Sequence, residues 1–325
     1  MTSTNPPVLE SAPEPLAPPT PPVKAVRKVF SSPIASIAVF LIVVLWTLPT
    51  FGLLVNSLRP KEDAGTTGWW SWFSNFHTTF SNYNNVLFAG STGTGGNLIS
   101  YMFNSLAITI PATIIPIFLA SMAAYALAWI PFRGSNFIFF TLFGLQVVPL
   151  QMALIPLSLL YVHGAHLTLA GTTYVIFPDL HLSGSLAEIW LSHTMFSLPL
   201  AVFLLHNFIA QLPESIIEAA RVDGASYLRI YRTIVLPLST PAIASFAIFQ
   251  FIWVWNDLLV ALTFGGNDPS KAPVTARLQQ LIGNFGSHLE LLSAGGFISI
   301  VIPMIVFFAL QRYFVRGLLA GSVKG

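Results

Sequence analysis

Long uninterrupted apolar stretches dominate this chain, and short polar segments separate them. A helix needs about 20 predominantly apolar residues to cross the roughly 30 Å hydrocarbon layer of a bilayer. Six stretches are long enough, and they cover residues 33–58, 98–130, 136–162, 189–209, 240–262 and 291–309. Their lengths predict an all-α, polytopic membrane protein with six transmembrane helices.

Composition excludes several classes of protein. Only 8% of the residues are charged and 54% are hydrophobic, whereas about 25% of an ordinary soluble domain is charged. This balance does not suit a soluble enzyme. The chain has no cysteine, which excludes disulfides, thiolate zinc sites and thiol nucleophiles. With a net charge of +2 and no basic run longer than two residues, it offers no surface for nucleic acid.

The distribution of lysine and arginine predicts the orientation. The proline-rich head, residues 1–32, has few apolar groups and is predicted to be a disordered tail. The basic residues Lys24, Arg27 and Lys28 come after most of this head, so the first span is expected to be retained and not cleaved as a signal peptide. A cytoplasmic N-terminus places ten Lys and Arg residues on inner segments and four on outer loops. This excess predicts that both termini are cytoplasmic.

The segment at 212–237, between the fourth and fifth spans, has the local signals of two short helices joined by a turn. Pro213 suits a first helical position, and the acidic residue after it suits the first turn. Gly224 is a favourable helix stop, Ser226 can cap the next helix, and Pro237 is expected to end that helix. Such a surface helix would be a rigid lever on the two spans that flank it.

The same segment resembles the EAA loop of ABC importer permeases, and "EAA loop" is used below for residues 212–237. Two spacings carry the resemblance: three residues separate Glu-Ala-Ala from glycine, and nine more precede Ile-x-Leu-Pro. The resemblance implies a type I ABC importer (MetI-like) permease domain over residues 98–316, preceded by a helix and outer loop at 33–97. It also implies that the loop docks in a cleft of a cytoplasmic ATPase. The implied ATPase-coupling residues are Glu214, Glu218, Ala219, Ala220, Asp223, Gly224, Ile234, Leu236 and Pro237.

The C-terminal residues 310–325 are similar to the end of the smaller permease subunit of maltose-type importers. That resemblance implies that a cytoplasmic tail, residues 317–325, reaches between two ATPase subunits. The implied tail contacts are Leu318, Gly321 and Lys324. Residues 251–262 also resemble carbohydrate-uptake permeases in general.

Together these resemblances imply a permease subunit of an ATP-driven carbohydrate importer in the cytoplasmic membrane of a bacterium or archaeon. The implied partners are a homologous second permease, two ABC ATPase subunits and an extracytoplasmic sugar-binding protein. The sugar stays open, since malto-oligosaccharides, trehalose, another α-glucoside or a compatible solute would all fit. No phosphate-binding loop of the Gly-x-x-x-x-Gly-Lys-Ser/Thr type occurs. The chain is therefore expected to hold no nucleotide or other cofactor and not to be an enzyme.

Residues near the outer end of the fifth span are candidates for the sugar path. An acidic side chain in a span is costly unless it faces a cavity or a partner, which applies to Asp257. Asp257 and the preceding Asn256 could line the path or cap the helix end, and both interpretations stay open. Trp253 and Trp255 could stack on sugar rings or anchor the helix at the membrane interface.

Three histidines, His163, His166 and His181, could be considered as zinc ligands, with the first two on one helix face. No pattern of carboxylates accompanies them, so no metal is expected.

The alternative function is a stand-alone channel or an ion-coupled secondary transporter. Such a protein would place charges mid-membrane and would usually contain inverted repeats. The middle of each span is almost free of ionisable residues, and no repeat is visible. A membrane-embedded enzyme is a weaker alternative, because no span carries paired acidic residues.

Overall fold

The computed structural model describes residues 33–89, 97–266, 268–282 and 288–322. The predicted disordered tail, residues 1–32, lies outside the described residues. The α-helices within them are α1 (Pro33–Ser57), α2 (Lys61–Thr66), α3 (Ser81–Asn84), α4 (Leu98–Trp129), α5 (Ser135–Leu145), α6 (Leu150–His163), α7 (Leu186–Ile209), α8 (Glu214–Val222), α9 (Tyr227–Ile230), α10 (Leu236–Leu238), α11 (Thr240–Trp255), α12 (Leu259–Gly265), α13 (Val274–Leu281) and α14 (Leu289–Ser322). A 3-10 helix covers Trp69–Phe73, and π-helical turns cover Asn85–Ala89 and Tyr231–Val235.

Four helices are long and apolar enough to cross a membrane, namely α1, α4, α7 and α14. They correspond to the first, second, fourth and sixth predicted spans. Polar caps set where two of them begin: the Asn97 side chain accepts from the Ser100 amide at the start of α4, and Ser185 accepts from the Glu188 amide at the start of α7. The last helix continues to Ser322, well beyond the predicted end at residue 309.

The third and fifth predicted spans are interrupted, which corrects the prediction of continuous helices. Helices α5 and α6 are bent by 108° at the break between Leu145 and Leu150. Pro149 directly precedes α6, and proline disfavours a helical conformation in the residue before it. In the fifth span α11 ends at Trp255, and α12 begins only at Leu259. If each of the two bent helix pairs, 135–163 and 227–255, counts as one span, the described residues contain up to six segments that are long and apolar enough to cross a membrane.

A β-hairpin follows α6 and adds a small sheet to the predicted all-helical fold. Strands β1 (Ala165–Leu169) and β2 (Thr172–Phe177) pair antiparallel. The two residues between them, Ala170 and Gly171, both have positive φ angles, of 49° and 83°. Two-residue turns of this kind match the right-handed twist of paired strands.

The chain divides after Leu53 into two compact units. The first unit contains the apolar start of α1, whose side chains are largely exposed. In the second unit α4 packs against α7 and α11, and α11 packs against α14. Small side chains lie at the centre of this packing, since Ala120 and Ala124 of α4 and Ala201 of α7 are fully buried.

Prolines in two spans leave backbone carbonyls without their helical partners, and side chains of neighbouring helices occupy three of them. Proline removes the amide that would bond to the carbonyl four residues earlier. Pro111 thereby frees the Ala107 carbonyl, which accepts from Trp190 Nε1 at 2.9 Å. Pro116 likewise frees the Ala112 carbonyl, which accepts from Gln250 Nε2 at 3.0 Å. Pro303 frees the Ser299 carbonyl, which accepts from Trp255 Nε1 at 3.1 Å. These bonds join four spans at points where lipid could not solvate a free carbonyl.

Candidate functional site

The first helix of the EAA loop, α8, packs one face against the protein and exposes the other, which carries charged residues and the apolar Val222. Ile217 is fully buried and belongs to a core cluster that includes residues of α4 and α7. Glu218 and Ala219 are exposed, and Ala220 is half-buried at the edge of this cluster. Pro213 is the N-cap residue of α8 and not, as predicted from the sequence, its first helical residue. The helix begins at Glu214. The exposed face is therefore available to a partner.

Gly224 ends α8 as predicted, in a conformation that favours glycine. Its φ is +77°, a region that side chains with a β-carbon rarely adopt. The Gly224 amide donates to the Arg221 carbonyl, and the Ala225 amide donates to the Ala220 carbonyl, both at 3.0 Å. These two bonds form a Schellman motif, which satisfies carbonyls at the end of the helix. Asp223 lies just before this turn and is exposed.

The second half of the EAA loop agrees with the prediction to within one residue. Ser226 caps α9 as expected, because its hydroxyl accepts from the Arg229 amide at 3.4 Å. The helical run that begins at Tyr227 continues through the π-helical turn and α10 and ends at Leu238, one residue after Pro237. The change of direction comes after Leu238, with a bend of 71° into α11. Ile234 is half-buried, and Leu236 is exposed in this part of the loop.

The EAA loop is also bonded to α4, a helix that is distant from it in sequence. Arg221 Nη2 donates to the Trp129 carbonyl at the end of α4. Trp129 Nε1 donates in turn to the Ile209 carbonyl at the end of α7, at 2.9 Å. The Tyr231 hydroxyl is hydrogen-bonded to Ser121 Oγ of α4 at 2.7 Å. Sequence reasoning missed these contacts, although Arg221 is adjacent to the Glu-Ala-Ala motif.

The three residues proposed for the sugar path line one cavity. Trp253, Asn256 and Asp257 lie along a space of about 750 Å³ beside α11. A second space of about 790 Å³ lies at the break between α5 and α6, where Gln146 is a polar lining residue among apolar ones. Trp253 lines both spaces. Trp255 does not face either space, because its ring is buried and stacks on Phe251.

Asp257 serves as a helix cap and also lines the cavity. Its carboxylate accepts from the Val260 and Ala261 amides, at 3.4 and 3.0 Å, and so caps α12. The same carboxylate lies 3.6 Å from Nε2 of His193, an imidazole of α7 that is fully buried. The His193 ring packs edge-on against Trp253, with ring centres 5.4 Å apart. Sequence reasoning missed His193 as a neighbour of the cavity. The signal that could have identified it is a single histidine inside an apolar span.

The remaining candidate residues are not brought together by the structure. His163 ends α6 and His166 lies in β1, so the two do not share a helix face as predicted. Among the described residues, no three His, Cys, Asp or Glu side chains form a group that could hold a metal ion. Leu318 and Gly321 lie on the last turns of α14, whereas Lys324 lies outside the described residues.

Two permease proteins from other organisms are similar to nearly the whole chain. The osmoprotective compounds uptake permease protein of Synechocystis sp. is 49% identical over 89% of this chain and 91% of its own length. The alpha-glucoside transport system permease protein of Rhizobium meliloti is 40% identical, over 89% of this chain and 96% of its own length.

A solved structure and a family model agree with these relatives. A chain of a bacterial ABC transporter involved in the import of the acidic polysaccharide alginate has a TM-score of 0.65 and 20% identity. The match covers 92% of this chain and 100% of that one, and shows a common fold. The family model described as "Binding-protein-dependent transport system inner membrane component" matches residues 116–319, which include the whole EAA loop. The chain therefore belongs to this family of inner membrane transport components and is a multi-pass membrane protein.

Proposed function

We propose that the chain is one of two permease subunits of an ATP-driven importer and forms half of its translocation pathway. The exposed helix α8, anchored by Ile217 and ended by Gly224, is the observation that carries this proposal. Its partners would be a homologous permease, two ABC ATPase subunits and an extracytoplasmic binding protein. The chain itself would catalyse no reaction and hold no cofactor.

In this mechanism the ATPase subunits drive a change in exposure of the pathway. Closure of the ATPase dimer on ATP would draw the two EAA loops together and open the cavity outward. Hydrolysis and product release would return the cavity to the inward-facing state. Transport then requires ATP to stabilise one of the two states more than the other.

A glycoside is the substrate class that the relatives favour. The names of the two relatives refer to osmoprotective compounds and alpha-glucosides. A sugar or a glycoside that serves as a compatible solute satisfies both descriptions. The test is ATPase activity of the reconstituted complex with its binding protein and maltose, sucrose, trehalose or glycine betaine. Stimulation by at least one of the three sugars supports the proposal, whereas stimulation by glycine betaine alone would contradict it.

The cavities beside Trp253 are proposed to lie on the sugar path. An indole ring between two spaces can stack on a sugar, and Asn256 and Asp257 can bond to hydroxyl groups in one of them. We expect Trp253→Ala to raise the KM for uptake about tenfold, because binding of a ring by stacking is lost. Trp253→Phe retains an aromatic face and should show a smaller change. An unchanged KM in the alanine variant, with normal assembly, would remove Trp253 from the path.

The proposed orientation places the EAA loop and both termini in the cytoplasm, in agreement with the excess of Lys and Arg on that side. Ser226 and Ser270 are both exposed, and they lie in the EAA loop and in the loop before α13. Because the chain has no cysteine, Ser270→Cys and Ser226→Cys each introduce a unique thiol. An impermeant thiol reagent added to intact cells should label the first variant only. Labelling of Ser226→Cys under these conditions would reverse the orientation.

A further inference from the structure

The contacts of α4 join the EAA loop to the opposite end of the molecule. Helix α4 has 32 residues, which correspond to a length of about 48 Å. Its last residue, Trp129, contacts the EAA loop, and its first turns contact the loop that precedes α13. If such a helix moves as a rigid body, a displacement of one end also displaces the other end.

At the EAA-loop end, two residues bond to α4: Tyr231 bonds to Ser121 Oγ at 2.7 Å, and Arg221 bonds to the last residue of the helix. The Arg221 guanidinium donates to the Trp129 carbonyl and lies 5.9 Å from the ring centre of Tyr227 in α9. Arg221 therefore contacts both short helices of the loop and the end of α4. The indole of Trp129 extends the connection to α7 through the Ile209 carbonyl.

At the opposite end, three hydrogen bonds join α4 to the segment around α13. Asn104 Nδ2 donates to the Pro269 and Ala272 carbonyls, both at 3.1 Å. Ser105 Oγ accepts from the Val274 amide, the first residue of α13, at 2.7 Å. Lys271 of the same segment donates to the Gly184 carbonyl beside the start of α7, at 2.8 Å. Both ends of the α4 and α7 pair are thus held by a loop.

Between its ends, α4 is cross-linked to its neighbours at its two prolines. Trp190 of α7 and Gln250 of α11 bond to the carbonyls that these prolines free. Gln250 lies about one turn before Trp253, which lines both cavities. A movement of α4 would therefore displace the wall of the proposed sugar path as well as α13.

We propose that Arg221 is a positioning residue that transfers movement of the EAA loop to α4, and that α4 carries this movement to α13 on the opposite face. This inference rests on the proposed function, because the driving movement comes from the ATPase. The role proposed for α4 is separate from docking of the ATPase. The exposed residues of α8 would bind the ATPase, while Arg221 would transmit the resulting displacement.

The test uses a reporter thiol on α13 in the complete complex. Gln279 is exposed on α13, and Gln279→Cys gives this chain a single cysteine. We expect its labelling rate to differ about fivefold between the nucleotide-free complex and the complex held with ATP in a hydrolysis-deficient ATPase, within the usual range of coupling between sites. Arg221→Met should reduce the difference while the ATPase still co-purifies, and the Tyr231–Ser121 bond should preserve the remainder. Arg221→Lys keeps a charged donor and should restore part of it.

The matched control for Arg221→Met removes a positive charge from another exposed arginine. Arg133 is exposed in the segment between α4 and α5, and Arg133→Met should leave the nucleotide-dependent labelling unchanged. The bond between α11 and α4 is tested separately with Gln250→Leu. This variant loses the bond to the Ala112 carbonyl and should lower sugar uptake. Adding Pro116→Ala restores a backbone amide opposite the Ala112 carbonyl and should recover part of that uptake.

Each outcome has a separate meaning for the proposal. An undiminished labelling difference in Arg221→Met would overturn the role of Arg221. Loss of the ATPase from that variant would also overturn it, since Arg221 would then be a docking contact. An equal labelling rate in both nucleotide states of the parent complex would overturn the proposal that α4 carries the movement to α13. Failure of the proposed function would appear differently, as absence of ATP-dependent uptake in the parent complex.

Discussion

Replacement of Gly224 by aspartate is expected to abolish transport while the chain remains inserted in the membrane. The backbone at Gly224 has a φ of +77°, and a residue with a β-carbon pays about 1–2 kcal/mol in this left-handed region. No heavy atom lies within 4 Å of the position that a β-carbon would take, so the fold should tolerate the side chain. The new carboxylate would instead lie beside Asp223 on the face proposed for ATPase docking.

Two variants separate strain from docking at this position. Gly224→Asn has nearly the same shape, no charge and a better tolerance of positive φ, so it should retain most of the transport. Uptake and ATPase co-purification are measured for both variants in reconstituted complexes. Normal co-purification and normal uptake in Gly224→Asp would show that this turn does not form part of the docking surface.

Deletion of residues 317–325 is expected to reduce coupled transport about tenfold, a typical magnitude for coupling between sites. Leu318 and Gly321 lie on the last turns of α14, which extends beyond the predicted end of the sixth span. The tail, including Lys324, is proposed to insert between the ATPase subunits and to favour their closure. ATP hydrolysis should therefore continue without proportionate uptake in the truncated complex, measured as solute imported per ATP hydrolysed.

The matched control for this deletion replaces residues 317–325 with a glycine-serine segment of equal length. It keeps the end of the chain at the same distance but removes the side chains, so it should resemble the deletion. Full coupling in both variants would remove the proposed role of the tail. The assignment of the permease would then rest on the EAA loop alone.

Apolar length predicted the positions of the uninterrupted spans well. The first two predicted spans, 33–58 and 98–130, agree with α1 and α4 to within one residue at each end. A run of apolar residues must be helical in lipid, because no water is present to bond to the backbone. The direction of a helix is not encoded in this signal. The 108° bend between α5 and α6 therefore could not be predicted, although Pro149 marked its place.

The β-hairpin was missed for a different reason. Its second strand, Thr172–Phe177, is rich in β-branched and aromatic residues, and Gly171 precedes it. These are strand and turn signals. A strand of six residues is much shorter than a membrane span, so apolar length does not detect it.

Local signals predicted the turn of the EAA loop but not what the loop contacts. The stop at Gly224 and the cap at Ser226 depend on residues only a few positions away, and both were confirmed. The bond from Arg221 joins residues 92 positions apart. Its acceptor is a backbone carbonyl, which every residue possesses, so no side-chain pattern identifies it.

The central claim is that ATP hydrolysis by docked ATPase subunits drives transport through this chain. Its most direct test is solute uptake into proteoliposomes that contain both permeases, the ATPase and the loaded binding protein, with ATP supplied on the EAA-loop side. We predict uptake with ATP, and none with a non-hydrolysable analogue or when the ATPase is omitted, even under a proton or sodium gradient. Uptake driven by an ion gradient without the ATPase would contradict this account.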